Sequence, residues 1–358
     1  MDNSKLEIDR NIGATAETAG VSRSPSDEPM DQVAPVNQLS GARVKPQATA
    51  SQAKDGGGVR AEELAPASES SGSRMLMFES SESAESALMQ MTPKKTTFDD
   101  NRDGKGTKEW SDFSYNICLG CEHECLYCYA KAMRCRFNKA MRVPGAWKKQ
   151  RMSPNKKALG AEVGAKGVVM FPTTHDITPR FLRRSVKTIK NLLANNQVLI
   201  VSKPHLSVVR VLCKELTDHK DDILFRFTIG ALSEPLCRFW EPGAPAPTER
   251  IRCLQHAYRK GFATSVSIEP MLAAWGEIVK LVARVEPFVT DTIWVGKMQR
   301  IPRKYNARVP GFEEAAALIK AQQTDADILK LVDDLEGNPK VRWKDSIKKV
   351  LDRRVAVQ

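Results

Sequence analysis

The chain has 358 residues, with 55 Lys and Arg against 43 Asp and Glu, a formal net charge of +12 and a mean hydropathy of −0.39. No apolar run reaches about 18 residues, so no membrane span is expected, and the opening Met-Asp-Asn-Ser-Lys lacks the charged-then-apolar pattern of a secretory leader. The length accommodates one core of about 250 residues with extensions.

The charge is unevenly distributed. Residues 1–100 carry 10 Lys/Arg and 16 Asp/Glu, a balance of −6, which leaves 45 and 27 for residues 101–358, a balance of +18. So basic a folded region favours nucleic acid or another anionic partner. Residues 1–91 contain no Cys, His, Trp or Tyr and include Asp-Gly-Gly-Gly and Ser-Glu-Ser-Ser-Gly-Ser. Such chain buries too little apolar surface to offset its ordering entropy and reads as a disordered low-complexity tail, with a short helix at Ala84–Met91.

Residues 92–310 read as the folded domain. Six apolar, β-branched runs, Phe113–Leu119, Gly167–Phe171, Gln197–Ser202, Leu224–Gly230, Thr264–Ile268 and Thr292–Val295, are strand candidates. Helical patterns lie near Tyr127–Met141, Pro179–Ala194, Leu206–Asp218, Thr248–Lys260, Glu277–Val285 and Phe312–Gln323. In the second, Phe181, Leu182, Val186, Ile189, Leu192 and Leu193 share a face behind a tolerated first-turn Pro179. The fourth opens at a Thr248 cap and stops at Gly261. This alternation calls for parallel strands with right-handed crossovers, in a barrel or in an open doubly wound sheet. Residues 311–358 read as a C-terminal helical extension that includes the basic Lys344–Arg354.

Five of the eight cysteines, Cys118, Cys121, Cys125, Cys128 and Cys135, crowd into one stretch after the first strand. Crowding of this kind points to metal ligation in a reducing cytoplasm rather than to a disulfide framework. Cys121, Cys125 and Cys128 form Cys-x3-Cys-x2-Cys with Tyr127 before the last. Three thiolates at a tetranuclear iron–sulfur cluster leave one iron open to an exogenous ligand. The alternative is a structural zinc knot, which usually draws a second Cys or His pair, whereas Cys213, Cys237 and Cys253 are single and widely spaced. The histidines show no ligand spacing, and His123, inside the loop, is expected to be exposed.

The run Asn116-Ile-Cys-Leu-Gly-Cys-Glu-His-Glu-Cys-Leu-Tyr-Cys-Tyr-Ala130 resembles the cluster loop of radical S-adenosylmethionine (SAM) enzymes, in the branch containing spore photoproduct lyase. Glu241-Pro-Gly-Ala-Pro245 resembles a segment of the same branch, and Glu241 and Arg250 are expected to pair and fix that loop. The resemblance implies an α/β fold, a partial (β/α)6 barrel. It further implies a 4Fe–4S cluster on Cys121, Cys125 and Cys128, and reductive cleavage of SAM to methionine and a 5′-deoxyadenosyl radical. An electron donor such as flavodoxin or ferredoxin would serve the cluster. In a parallel barrel reactive groups gather at the carboxyl ends of strands, so Tyr127, Thr173, Thr174, His175, Asp176, Ser202, Lys203, Thr228, Ser267, Glu269 and Lys297 are the candidate SAM-binding residues. Family members often use Gly-Gly-Glu at the exit of the second strand. Here Thr173, Thr174, His175 and Asp176 offer acceptors instead, with Asp176 or Thr178 as a helix cap the plainer reading. A solvated salt bridge is the plainer reading of Glu269 and Lys297.

The tract Lys131–Lys157 holds ten Lys/Arg and no acid, with Phe137 and Trp147 interleaved. It is expected to bind DNA or RNA phosphates, with Lys148, Lys149 and Arg151 as contacts and an aromatic to stack. The alternative is a solvated basic segment with one buried tryptophan. Three functions follow: a radical SAM enzyme acting on nucleic acid, one acting on a protein or small metabolite, and a non-catalytic zinc-dependent nucleic-acid binder.

Overall fold

The computed structural model describes Phe98 and residues 106–153, 167–299 and 301–355. The expected tail with its Ala84–Met91 helix, and Lys156 and Lys157 of the basic tract, lie outside the described residues.

Nine strands form two sheets among the described residues. They are β1 (Phe113–Ser114), β2 (Cys118–Leu119), β3 (Arg151–Met152), β4 (Val168–Phe171), β5 (Gln197–Ser202), β6 (Ile223–Thr228), β7 (Ala263–Ile268), β8 (Ile293–Val295) and β9 (Val341–Trp343). The larger sheet has seven strands in the order β1-β4-β5-β6-β7-β8-β9. All its pairings are parallel, with registers such as Val169↔Val198, Leu199↔Leu224, Phe225↔Thr264 and Ser267↔Trp294. β6 and β7 are buried along their whole length, as parallel strands covered on both faces are.

The strand order decides between the two architectures left open by periodicity. A doubly wound sheet reverses direction at a switch point. Here each new strand is added to the same edge, so right-handed crossovers place every helix on one face. The opposite face curls around one side chain. Trp110 packs in a cluster with Val168, Met170, Leu199, Leu224, Ala263 and Trp294. Arg226 of β6 lies 4.7 Å over its ring and Lys344, just after β9, 4.1 Å over it. A flat sheet cannot bring β4, β6, β8 and the end of β9 to one indole. The sheet is a partial barrel.

Ten α-helices are described: α1 (Tyr129–Phe137), α2 (Leu182–Leu192), α3 (Leu206–Glu215), α4 (Glu234–Trp240), α5 (Pro247–Arg259), α6 (Trp275–Val285), α7 (Arg303–Asn306), α8 (Phe312–Ala321), α9 (Asp325–Asp334) and α10 (Asp345–Val355). The main core lies between them and the sheet. Val186, Ile189 and Leu192 of α2 are buried there, as the periodicity of that stretch predicts. The cap of α5 is Ala246 and not Thr248, because Pro247 takes the first helical position where its missing N–H costs nothing.

Two expectations are corrected. The run Phe113–Leu119 is not one strand: only β1 joins the barrel, while β2 pairs antiparallel with β3, Cys118 opposite Met152. The segment 311–358 is not purely helical, since β9 adds the seventh strand and pairs Trp294 with Arg342.

Candidate metal centre

The cysteine loop is built before any metal is considered. It leaves the β2–β3 ribbon at Gly120, whose φ of +85° lets Cys121 N donate to Trp147 O at 2.9 Å. A side chain at Gly120 would meet that same oxygen at 2.6 Å. Glu124, with φ +47°, turns the chain back between Cys121 and Cys125. Leu126 N then donates to Trp240 O at 2.8 Å, Leu126 O accepts from Asn306 Nδ2 at 2.6 Å, and His123 O accepts from Gly243 N at 3.0 Å. Gly243 belongs to the Glu-Pro-Gly-Ala-Pro run, and a Cβ there would lie 2.3 Å from Glu122 O. That glycine is needed because the loop backbone lies directly on it. Cys128 caps α1, its Sγ accepting from Lys131 N at 3.3 Å.

Beneath the loop, Asp176 gathers the ends of three elements. Its carboxylate accepts from Ser202 Oγ at 2.9 Å and from Lys203 N at 2.6 Å, and lies 2.8 Å from His123 Nδ1. Cys121 Sγ is 3.5 Å away and Lys203 Nζ 3.7 Å away. Burial would raise this carboxyl, but the Lys203 charge and then His123 outweigh it and hold Asp176 well below the usual carboxylate range. Burial likewise opposes the charge on Lys203, yet Asp176, Cys125, Glu241 and Cys121 raise it above an ordinary lysine. Lys203 is therefore held charged beside Asp176, and its field acts on all three cysteines of the triad.

Desolvation pushes all three thiols up, Cys125 to about 12, with Cys125 opposing ionisation of Cys121 and Cys128 opposing that of Cys125. Without metal these thiols keep their protons at neutral pH, and ligation must displace them. The other two cysteines of the stretch are engaged elsewhere: Cys118 pairs in β2, and Cys135 Sγ donates to Met141 O at 3.1 Å.

The candidate residues sort into distinct groups. Asp176, Ser202 and Lys203 meet under the loop. The Tyr127 hydroxyl donates to Glu241, which pairs with Arg250 at 2.5 Å, both side chains fully buried. The expected Glu241–Arg250 pair therefore exists and holds the tyrosine beside Cys128. His175 Nε2 accepts from Ile117 N and Cys118 N at 3.3 and 3.2 Å, so its proton sits on Nδ1 and points to Asp176 O at 3.1 Å. Burial lowers its pKa, in keeping with that neutral form. Thr173 and Thr174 donate backbone N–H to Asn116 Oδ1, both at 2.8 Å, and Thr173 O accepts from the Tyr129 hydroxyl at 2.7 Å. Asp176 turns inward and caps no helix, whereas Thr178 stands at the N-cap position of the 3-10 turn Pro179–Phe181 without a side-chain cap bond, its Oγ1 donating instead to Gln150 Oε1 at 3.1 Å. Thr228 ends β6 and Ser267 is the next-to-last residue of β7, both buried. Glu269 and Lys297 belong to other groups: Glu269 lies 3.6 Å from Lys344, which also pairs with Glu109, and Lys297 lies 3.6 Å from Asp325.

His123 is not exposed. It is fully buried, with Nε2 3.0 Å from His205 Nε2. Burial, then the neighbouring His123, lowers the pKa of His205. Trp147 is buried too, under Cys121 and Ala130, and so cannot stack on a base, whereas Phe137 is 82% exposed. Lys148, Lys149 and Arg151 are exposed. Sequence reasoning passed over Asn116, Gln150 and His205. Asn116 alone carried a signal, being a poor strand former in the middle of an apolar run.

The donors fit two kinds of metal unequally. Cys121, His123 and Asp176 place one ligand atom each within 4.8 Å of one another, close enough for a single ion. That set leaves out Cys125 and Cys128 and puts the Lys203 ammonium against the same carboxylate. A tetranuclear cluster would use the three cysteines and would gain from Lys203 as counter-charge. The cluster is the better fit.

No family model matches the chain. It is 28% identical over 190 residues to the uncharacterized protein ORF301 of Acidianus two-tailed virus, covering 50% of this chain and 62% of that protein. Among solved structures it is similar to a spore photoproduct lyase mutant with bound AdoMet and dinucleoside spore photoproduct, at 16% identity and TM-score 0.37, over 74% of this chain and 64% of that one. It is also similar to Streptococcus suis SuiB bound to S-adenosylmethionine, at 14% identity and TM-score 0.39, over 65% and 51%. The same protein bound to precursor peptide SuiA gives 14% identity and TM-score 0.41, over 68% and 52%. The chain thus spans less than two thirds of each of these proteins. At such identities and scores, a functional reading rests on the chain's own residues.

No described helix is long and apolar enough to cross a membrane.

Proposed function

We propose that this chain is a radical SAM enzyme acting on nucleic acid. The observation that carries the reading is the loop that holds Cys121, Cys125 and Cys128 over the largely buried Lys203–Asp176 pair at the carboxyl ends of parallel strands. Cys121, Cys125 and Cys128 would hold a 4Fe–4S cluster, which when bound supplies the electron for reductive cleavage of SAM.

The chain's own residues do the rest. Lys203 offsets the charge that three thiolates bring into a buried site. Asp176 fixes Lys203 and, through His123, the Cys121 side of the loop. Tyr127, anchored by Glu241 and Arg250, fixes the Cys128 side. Ser202, Lys203 and the Thr173–Thr174 turn offer polar groups for SAM beside the loop. The exposed Lys148, Lys149 and Arg151, within a tract lacking any acid, support a polyanionic substrate. An electron carrier such as flavodoxin or ferredoxin would supply the reductant.

Anaerobic reconstitution tests the class. The wild-type chain should take up iron and sulfide and form 5′-deoxyadenosine from SAM with a reductant. Ala at Cys121, Cys125 or Cys128 should abolish both, and Ala at Cys118 or Cys135 should leave iron content unchanged. Stoichiometric zinc without sulfide, retained by Cys128→Ala and lost in His123→Ala, would instead establish a single-ion site on Cys121, His123 and Asp176.

A further inference from the structure

Nine large hydrophobic side chains are exposed among the described residues, and five of them, Tyr129, Met133, Phe137, Val143 and Met152, lie in one segment that begins next to Cys128. Tyr129, Met133 and Phe137 recur every four residues along α1, which puts them on one stripe of the helix surface. They are 52%, 55% and 82% exposed.

The flanks of this stripe are cationic. Arg134, Arg136, Lys139 and Arg142 are exposed beside it, and Lys148, Lys149 and Arg151 follow. The segment 131–153 contains no acidic residue, and none of these seven side chains pairs with a carboxylate among the described residues. Apart from Lys131, which pairs with Glu124 at 3.7 Å, the charges this segment sets beside the stripe are unpaired cations, which makes it a poor surface for a second copy of the same chain. A two-fold contact would set each patch against its own like charge. A polyanion with apolar faces fits it: phosphates for the cations, bases for the stripe.

Spacing narrows the polyanion to a single strand. Successive stripe residues rise by about 6 Å along the helix, close to twice the roughly 3.4 Å step between bases on one strand. One base plane can therefore lie between neighbours. Tyr and Phe offer stacking faces and Met a soft, adaptable one. In a duplex the base faces are already covered by their neighbours. The stripe also leads somewhere: the Tyr129 hydroxyl donates to Thr173 O at 2.7 Å, at the exit of β4 beside the cysteine loop.

We propose that α1 is a single-strand track, on which unpaired bases stack against Tyr129, Met133 and Phe137 while the flanking Arg and Lys side chains hold phosphates, so that a nucleotide is led to the rim beside Cys128. The proposal rests on the nucleic-acid reading above and narrows it to unpaired DNA or RNA.

The test uses the full, anaerobically reconstituted chain and labelled oligonucleotides of about 12 nucleotides, single-stranded and as duplexes of the same sequence, followed by fluorescence anisotropy at several salt concentrations. Single strands should bind more tightly than the duplex. Phe137→Ala should weaken single-strand binding by about 5- to 150-fold, the loss expected for one stacked base, with the salt slope unchanged. Phe137→Tyr should restore it. Charge reversal at Lys148, Lys149 and Arg151 should weaken both forms and flatten the slope. Unaltered far-UV circular dichroism would show that each variant folds, as expected for exposed positions. Equal or tighter duplex binding, or a Phe137→Ala affinity within twofold of wild type, overturns the track and leaves the broader nucleic-acid reading standing. If the wild type binds neither form, both fail. A ridge whose loss abolishes self-association in sedimentation, or binding to phosphatidylserine vesicles, with oligonucleotide affinity intact, overturns the track as well.

Discussion

Replacing Arg250 by Met probes how firmly the cysteine loop is anchored. Arg250 and Glu241 are fully buried with charged atoms 2.5 Å apart. Arg250 also donates from Nε to Pro245 O at 2.7 Å and from Nη1 to Thr228 O at 3.3 Å, while Glu241 accepts the Tyr127 hydroxyl. Removing one charge of a buried pair strands the other at a cost of about 3–5 kcal/mol, and a carbonyl left without its donor adds about 1–3 kcal/mol. Arg250→Met, which strands Glu241 and leaves both carbonyls without their donor, should therefore cost about 5–11 kcal/mol, comparable with the roughly 5–15 kcal/mol that a domain commands. Glu241→Gln keeps an acceptor for Tyr127 but strands the guanidinium, and should cost about 3–5 kcal/mol. The double variant buries no unpaired charge and loses chiefly the two carbonyl contacts, about 2–6 kcal/mol. The singles must then be strongly non-additive, with a coupling of at least about 2 kcal/mol. Urea unfolding of cluster-free protein under reducing, oxygen-free conditions gives the cycle directly. Iron retention gives a second readout, since Tyr127 adjoins Cys128 and a released tyrosine should loosen the loop. Additivity within about 0.5 kcal/mol would refute the pairing.

Gly243→Ala should push Glu122 and His123 away, because its Cβ would lie 2.3 Å from Glu122 O. Reconstituted protein should carry clearly less iron with far-UV circular dichroism retained, and full iron content would mean the loop has slack. Burial pushes Cys213 and Cys237 up to about 12, whereas in the unfolded chain they ionise near 8.5. Their folded pKa being the higher, the folded state keeps protons that the unfolded state loses as pH rises from about 8.5 to 12. Stability should fall there by about 1.4 kcal/mol per unit for each thiol. Cys213→Ala should lower the difference in urea midpoint between pH 8 and pH 10, and an unchanged difference would contradict the burial argument. The resemblance to spore photoproduct lyases implies a thiol at the exit of β4 as hydrogen donor for dimer repair, and Phe171–Asp176 has none, while Cys135 is buried with its Sγ on Met141 O. Dimer-containing DNA incubated with reductant and SAM should therefore release no thymine at the rate of SAM turnover. Repair lost in Cys135→Ala would identify the donor that this reasoning rejects.

The parts of the fold that could be read from sequence are those where one strong local pattern decides. Gln197–Ser202 is a strand in both readings, because an apolar run of its length between polar turns has few other uses. β9 is only three residues long and lies among charged neighbours, so nothing local marks it; it is a strand because β8 offers a free edge. The break in Phe113–Leu119 is likewise tertiary. Asn116 leaves the ladder to serve Thr173 and Thr174, more than fifty residues away. The cysteine triad could be named because Cys121, Cys125 and Cys128 are close in sequence. The Asp176 group was only half legible: the residues at the strand ends could be named, but His123 joins Asp176 across 53 residues and meets His205 across 82. An imidazole in a polar loop carries no sign of its burial.

The way the loop is fastened bears on the zinc alternative. In a structural zinc knot the metal supplies the folding energy, and the ligand loop has no geometry without it. Here the path from Gly120 to Cys128 is fixed by Trp147 O, Trp240 O, Gly243 N and Asn306 Nδ2, partners drawn from the β3 approach, α4, the following turn and α7. Each is a group of the protein, and each would persist with the thiols protonated. These fastenings hold the three thiols over Lys203 from outside the loop, which suits a cofactor that must be held at one place on the rim while its open side faces a second ligand. The same fastening makes α1, which starts at Cys128, a rigid continuation of the site. Whatever lies along Tyr129, Met133 and Phe137 is thereby held in register with the cysteines.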